Sequence, residues 1–294
     1  MQSILNPSSK SLYLKEQERQ THMTLHKLSW SASIGLLLFL FAFFLSATFS
    51  MAADKSKIKL GVMEGHEATV WKVAVEQAKK TGLDIELVYF SDYALPNDAV
   101  NSGDIDANAF QHTPYLNSQI EQRGYKLSIA GYTFIAPIGV YSHKIKNIEE
   151  LKDGASIGIP NDPSNGGRAL LLLNSLDLIK LKDPHDILAS PLDIIENPKN
   201  LKIRELDAGI LGRAIDDFDI AIINTNWALV SGLNLNKDAI AWEKADNNPY
   251  NNIIVVRTSD KDASWVKKLV AAYNSEPVRA KIKEVFGTTA QTSW

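Results

Sequence analysis

Between residues 57 and 286, segments typical of β-strands alternate with segments typical of α-helices. The stretch from Lys57 to Val62 alternates polar and apolar side chains, as a half-buried strand does. The stretch from Thr69 to Lys80 places its valines and alanines on one helical face, and Gly82 follows it as a helix stop. Helices that connect strands of one sheet pack on its faces, so this alternation predicts an α/β fold with largely parallel sheets.

The same patterns give the approximate position of each element. Expected strands or extended segments lie at 57–62, 84–90, 105–110, 126–134, 137–143, 155–159, 201–206, 219–223 and 251–257. Expected helices lie at 69–80, 96–102, 114–123, 163–178, 208–216, 261–273 and 277–286.

After residue 53 the chain is long enough for two domains of about 100–130 residues. We expect one lobe at 54–136 plus 250–294 and the other at 137–249. Without a long linker, the chain would cross between them through the extended segments near 132–141 and 245–253. Such a connection leaves a cleft between the lobes, where small-molecule sites tend to form.

The segment from Ser29 to Ala53 contains no charged residue, and its centre from Ile34 to Leu45 is strongly apolar. Basic residues precede it, and small residues, including Ser50 and Ala52, follow its centre. This order is typical of a secretory signal peptide, and the alternative is an uncleaved membrane anchor. Residues 1–53 are therefore interpreted as a signal peptide or an N-terminal anchor, and the remainder as an exported protein.

Composition excludes several function classes. The 294-residue chain has no cysteine, which removes disulfides, thiolate metal sites and cysteine nucleophiles. Its formal net charge of -3 provides no basic surplus for binding nucleic acid. The histidines show no metal-ligand spacing and no common hydrolase motif is present. We therefore expect no catalytic residues, no metal and no cofactor.

A Gly-rich polar turn stands between a buried strand and an apolar helix at residues 159–170. A helix N-terminus attracts anions, and Arg168 near it could hold a carboxylate through two hydrogen bonds. The alternative is an ordinary capped helix with a surface arginine.

Aromatic side chains cluster where an expected strand meets a helix. Phe110, His112 and Tyr115 lie within six positions, and Tyr93 follows the preceding strand. Such a cluster could line a small apolar pocket. The alternative places Phe110 in the core and makes His112 a helix cap.

Amide side chains follow two further strand boundaries. Asn224 and Asn226 come directly after the apolar strand at 219–223, and Asn251 and Asn252 open the next one. The carboxyl end of a strand is the usual place for a site in α/β folds, and amides can bind the polar groups of a ligand. Each pair could instead satisfy turn backbone.

Together these segments resemble the NlpA-type methionine-binding proteins, the substrate-binding components of ABC methionine importers. The resemblance covers essentially all of residues 57–290. Its landmarks are Ser91-Asp92-Tyr93 with Pro96-Asn97, Gly103 to His112 with Pro114-Tyr115-Leu116, Ile159 to Asn165 with Gly167 to Leu173, Glu196 to Leu201, Ile223-Asn224 with Asn226, and Pro249-Tyr250 with Asn252-Ile253-Ile254.

The resemblance implies a two-lobed periplasmic-binding-protein fold that closes on methionine, in the L- and possibly the D-form, and delivers it to a permease. It implies that Arg168 binds the ligand's carboxylate and that Asn226 and Asn252 meet its polar backbone groups. The thioether would be enclosed by the aromatic residues Tyr93, Phe110, His112 and Tyr115. Alternative functions are a receptor for another small amino acid, a peptide or an anion, and an exported enzyme acting on an amino-acid derivative.

Three features depart from the family's pattern. Thr48 stands in place of the family's lipid-bearing cysteine, so we expect no lipid anchor and membrane contact only through an uncleaved N-terminal segment. Trp227 stands where tyrosine is usual, and the stretch at 208–213 differs from the family's Ala-Ala-Gln-Leu-Pro-Arg. The last two could tune the pocket or the hinge.

Overall fold

The computed structural model describes residues 55–244, 248–287 and 290–294, within one compact unit that spans 52–294. The expected signal peptide or anchor at 1–53 lies outside the described residues. In the described part of the chain, no helix combines the length and the apolar character needed to cross a membrane.

Fourteen strands are described in these parts of the chain. They are β1 (Lys57–Met63), β2 (Asp84–Phe90), β3 (Ala107–His112), β4 (Leu127–Tyr132), β5 (Phe134–Ile135), β6 (Gly139–Tyr141), β7 (Ser156–Pro160), β8 (Lys180–Leu181), β9 (Ile194–Glu196), β10 (Lys202–Leu206), β11 (Ile220–Ile223), β12 (Ala239–Trp242), β13 (Asn252–Arg257) and β14 (Gln291–Thr292).

The described α-helices are α1 (His66–Lys79), α2 (Leu95–Ser102), α3 (Thr113–Arg123), α4 (Pro163–Ser175), α5 (Ala208–Leu211), α6 (Thr225–Val230), α7 (Leu235–Asp238), α8 (Ser264–Tyr273) and α9 (Glu276–Phe286). The expected helix at 163–178 is three residues too long, because Asp177 adopts a left-handed φ of 57° that ends the helical path. The expected helix at 208–216 reaches only Leu211, since the glycines at 209 and 212 disfavour a longer helix.

Two five-stranded sheets organise the molecule, in the orders β2-β1-β3-β13-β4 and β10-β7-β11-β6-β12. The expectation of largely parallel sheets holds within β2-β1-β3 and β10-β7-β11. It fails at β13 and β6, each of which pairs antiparallel with both neighbours. The fourth strand of each sheet, β13 in the first and β6 in the second, therefore runs opposite to the others. Each is the strand with which the chain enters that sheet after leaving the other lobe.

Each sheet carries its own core. Helices α1, α8 and α9 cover the first sheet, with Trp71 and Trp265 fully buried between them. Helix α4 covers the second sheet through Leu170 and Leu173. The protein is thus an α/β molecule with two sheet-rich lobes, while the exact lobe boundaries at 136/137 and 249/250 stay a prediction.

Candidate functional site

One cavity brings together the seven residues to which the resemblance assigns a ligand contact, whereas the candidate amide Asn251 does not line it. It is lined by Tyr93, Phe110, His112, Tyr115, Arg168, Asn226 and Asn252. Its empty space, open mouth included, is about 450 Å³. These residues come from both lobes, so the cavity lies in the cleft between them.

Strand ends explain why these residues meet. His112 ends β3, and Tyr93 follows β2 by three residues. On the other side, Asn226 lies in α6 directly after β11, and Arg168 lies in α4 directly after β7. The carboxyl ends of parallel strands share one edge of their sheet, so the two edges face each other across the cavity.

Aromatic rings form one wall. The ring of Tyr93 lies 5.7 Å from that of Phe110, 6.0 Å from that of Tyr115 and 5.5 Å from that of Trp227, measured between centroids. The Tyr115 hydroxyl donates a hydrogen bond to the backbone oxygen of Tyr93 at 2.9 Å, which fixes the Tyr115 ring against the segment that carries Tyr93. Such a wall offers an apolar, polarizable surface to a ligand side chain.

His112 is both a helix cap and a lining residue, so the two interpretations of this residue are compatible. Its Nδ1 accepts a hydrogen bond from the backbone N–H of Tyr115 at 3.1 Å, which caps α3. Its Nε2 lies 3.1 Å from Oδ1 of Asn165 and therefore carries the proton. Burial, reinforced by the charge of Arg168, lowers the pKa of His112 to about 3, so the ring is neutral.

Arg168 is buried, with 4% of its surface exposed, which excludes the alternative of a surface arginine. Its Nε donates to both carboxylate oxygens of Glu243 at 3.1 Å, and its Nη2 donates to Glu243 and, at 3.1 Å, to the backbone oxygen of Ala136. The guanidinium also lies over the ring of Tyr250, 4.4 Å from its centroid. Contacts with Glu243, Ala136 and Tyr250 therefore fix the position of the guanidinium, and the carboxylate of Glu243 balances its charge.

The start of α4 is an ordinary capped helix N-terminus, as the alternative interpretation held. The carboxylate of Asp162 accepts the backbone N–H of Asn165 at 2.9 Å, so this group is not open to an anion. Close packing fixes the helix, because a Cβ on Gly167 would lie 2.5 Å from the backbone oxygen of Ile187.

Two amide side chains, those of Asn224 and Asn226, each have a buried polar atom without a partner among the described residues. Asn226 accepts a hydrogen bond from the Tyr93 hydroxyl at 2.6 Å, and its Nδ2 has no partner among the described residues. Asn224 donates from Nδ2 to Oδ1 of Asn165 at 2.7 Å, and its own Oδ1 has no partner there either. Buried polar atoms are rarely left unpaired, so this donor and this acceptor indicate a polar ligand or ordered water.

Sequence reasoning missed several residues of the site. Asn165 and Gln111 stand in motifs of the family without an assigned role, and Glu67 and Phe134 line the cavity without any local signal in the sequence. Glu243 supports Arg168 and was not noticed at all, because nothing in its local sequence marks it. Within the described ranges no cluster of histidine and acidic side chains could hold a metal ion.

The fold and the site define a two-lobed binding protein with a small polar and aromatic cavity between its lobes. Residues 58–294 match the family model for NlpA lipoprotein, and the chain belongs to this family. The resemblance inferred from the sequence motifs is thereby confirmed.

Relatives of known name and structure are consistent with this. The D-methionine-binding lipoprotein MetQ of Salmonella typhi is 54% identical over 244 residues, which cover 82% of this chain and 90% of that protein. MetQ of Escherichia coli K12 is 52% identical over 244 residues, which again cover 82% of this chain and 90% of that protein. A nutrient binding protein from Burkholderia cenocepacia bound to methionine matches with a TM-score of 0.79 and 51% identity, covering 81% of this chain and all of that one.

The two internal departures from the family pattern lie outside the cavity lining. Trp227 is buried behind the lining and packs against Tyr93, with ring centroids 5.5 Å apart. Gly209 and Arg213, from the stretch 208–213, line a separate groove together with Trp227.

Proposed function

We propose that the protein captures methionine between its two lobes and presents it to the permease of an ABC importer. The observation that carries the proposal is the composition of the cavity. One wall is aromatic, and the other holds a buried arginine and unpaired amide atoms. An amino acid with an apolar thioether side chain matches both halves.

Each predicted residue has a role in this proposal. Arg168 binds the carboxylate together with the free Nδ2 of Asn226, and Asn252 meets the remaining polar backbone group. The rings of Phe110 and Tyr115, together with Tyr93 and His112, enclose the thioether. Sulfur–aromatic contacts and the neutral state of His112 suit an uncharged side chain.

Comparison with relatives supports the same proposal. The Burkholderia protein is bound to methionine in its structure, and a Coxiella burnetii relative with a TM-score of 0.77 and 46% identity is described as the periplasmic substrate-binding protein of an ABC transporter. The curated relatives are named as binding lipoproteins. A receptor role therefore has more support than an enzymatic one.

Calorimetry on protein freed of co-purified ligand tests the proposal, with L-methionine, D-methionine, norleucine and leucine as ligands. We expect binding of at least one methionine enantiomer well below 1 mM and weaker binding of leucine. Asn226→Ala should weaken binding more than tenfold, whereas the exposed control Asn236→Ala should not. Absence of sub-millimolar binding by either enantiomer would overturn the methionine assignment.

We further propose that the protein acts in the periplasm, either released or held by its own segment at 29–53. The relatives are named lipoproteins, but this chain has no cysteine to carry a lipid. N-terminal sequencing of the native protein decides between the two forms: a start near Ala53 indicates release, and an intact segment indicates an anchor.

A further inference from the structure

Glu67 is the only carboxylate among the described residues that line the cavity. It lies in the first turn of α1 and is 6% exposed. Among the residues that the structure describes, no hydrogen bond or ion pair reaches its carboxyl group. A buried acid without a partner is costly, because burial strips its water and nothing in the protein replaces it.

The groups around Glu67 do not neutralise it. The phenols of Tyr93 and Tyr273 face it, and burial holds the pKa of each well above its usual value, so both are uncharged. Helix α6 and strand β5, which also border this end of the cavity, carry no titratable side chain. Across the cavity, Arg168 is already paired with Glu243, and His112 is neutral.

This loss of water raises the pKa of Glu67 to about 8. The empty protein therefore holds Glu67 mostly protonated at pH 7. A cation placed in the cavity would reverse this, since an adjacent opposite charge favours the carboxylate. The helix N-terminus on which Glu67 lies would also favour the negative form.

We propose that Glu67 receives the ammonium group of the amino-acid ligand whose carboxylate is bound at Arg168. This deepens the function proposed above and rests on it. Glu67 and Arg168 line the same cavity, so one molecule bound there can contact both. The ligand's ammonium then meets the Glu67 carboxylate and its carboxylate meets the Arg168 guanidinium, and both protein side chains are buried.

The proposal includes one proton transfer. The O–H bond of protonated Glu67 breaks, the proton leaves to solvent, and the carboxylate accepts hydrogen bonds from the ligand's ammonium group. Near pH 7, binding should therefore release close to one proton per ligand. Affinity should rise as pH increases towards 8 and level off above it, until the free ligand's ammonium begins to deprotonate.

The test compares methionine with 4-(methylthio)butanoate, which is the same molecule without its amino group. Both are titrated into the wild type, into Glu67→Gln and into Glu76→Gln, an exposed position on the same helix. In Glu67→Gln we expect methionine to bind more than tenfold more weakly and the desamino acid to bind as before or more tightly. Glu76→Gln should match the wild type for both ligands.

Other outcomes separate this proposal from the function on which it rests. If the wild type binds no methionine, the proposed function fails first. If the wild type binds and Glu67→Gln weakens both ligands equally, or neither, Glu67 has only a structural role and the inference is overturned. Should Glu67→Gln not fold, calorimetry of the wild type in buffers of different ionisation enthalpy decides: release near one proton at pH 7 supports the proposal, and none contradicts it.

Discussion

The hydroxyl of Tyr93 donates a hydrogen bond to Oδ1 of Asn226 at 2.6 Å and so connects the two lobes directly across the cavity. Tyr93 follows β2 of the first sheet, and Asn226 lies in α6 behind β11 of the second. A second bridge joins His112 to Asn165 at 3.1 Å. Closure of the lobes is thus stabilised by buried polar contacts made by the residues that line the site.

Replacing Tyr93 by phenylalanine should weaken ligand binding while leaving the aromatic wall in place. The change removes the donor to Asn226 and leaves that buried oxygen unpaired, which costs about 1–3 kcal/mol. Because this bond forms only when the lobes meet, methionine affinity should fall roughly five- to 150-fold. Calorimetry measures it, with Tyr132→Phe, at a position 46% exposed, as the matched control. Equal affinity in both variants would contradict a role in closure.

The pair formed by Arg168 and Glu243 should behave as one unit in stability measurements. Glu243→Gln leaves a buried guanidinium without its counter-charge, and Arg168→Met leaves a buried carboxylate, so each should lower the free energy of unfolding by about 3–5 kcal/mol. The double variant should lose clearly less unfolding free energy than the sum of the two single losses, because neither charge is then buried without its partner. Chemical denaturation of the four proteins measures the coupling. Strict additivity would show that the two charges do not depend on each other.

Sequence patterns located most of the strands, and the seven residues predicted to bind the ligand all line one cavity, because both kinds of signal are local. Hydrophobic periodicity marks β1 and α1, and Phe110, His112 and Tyr115 lie next to one another in the chain. The reversed strand in each sheet could not be read in this way, because its direction depends on where the chain returns from the other lobe.

The residues that were missed depend on contacts between distant parts of the chain. Glu243 is 75 positions from Arg168, and Asn165 is 53 positions from His112. Glu67 was placed just outside the expected helix at 69–80, and only its burial distinguishes it from a solvated helix-start glutamate. Burial and long-range pairing depend on the tertiary structure, so the hydrophobic periodicity of the sequence does not predict them.

His112 should make the protein less stable in mild acid. Its folded pKa is about 3 and its ordinary value is 6.5, so the unfolded chain takes up a proton that the folded protein excludes. The free energy of unfolding should therefore fall by up to about 1.4 kcal/mol per pH unit as pH decreases below 6.5. His112→Asn, which keeps a helix-capping side chain, should lose this part of the dependence, and the exposed control His143→Gln should keep it. Denaturation curves at pH 5, 6 and 7 provide the comparison.

Glu67 should lower the stability of the ligand-free protein as pH rises. Its carboxyl has a folded pKa of about 8 against an ordinary value of 4.5, so between these values the folded protein retains a proton that the unfolded chain has released. This contribution favours unfolding progressively, by up to about 1.4 kcal/mol per pH unit. Glu67→Gln cannot titrate, and its melting temperature should therefore exceed that of the wild type by several degrees at pH 8 and by little at pH 5.

Thermal melting of ligand-free wild type, Glu67→Gln and the exposed control Glu76→Gln at both pH values measures this difference. A gap between wild type and Glu67→Gln that stays constant from pH 5 to pH 8 would mean that Glu67 does not titrate in the folded protein. A gap that widens with pH, together with a loss of methionine affinity in the same variant, identifies a residue that lowers stability in the empty protein and contributes to binding. That combination is typical of functional groups, whose burial is unfavourable until the ligand arrives.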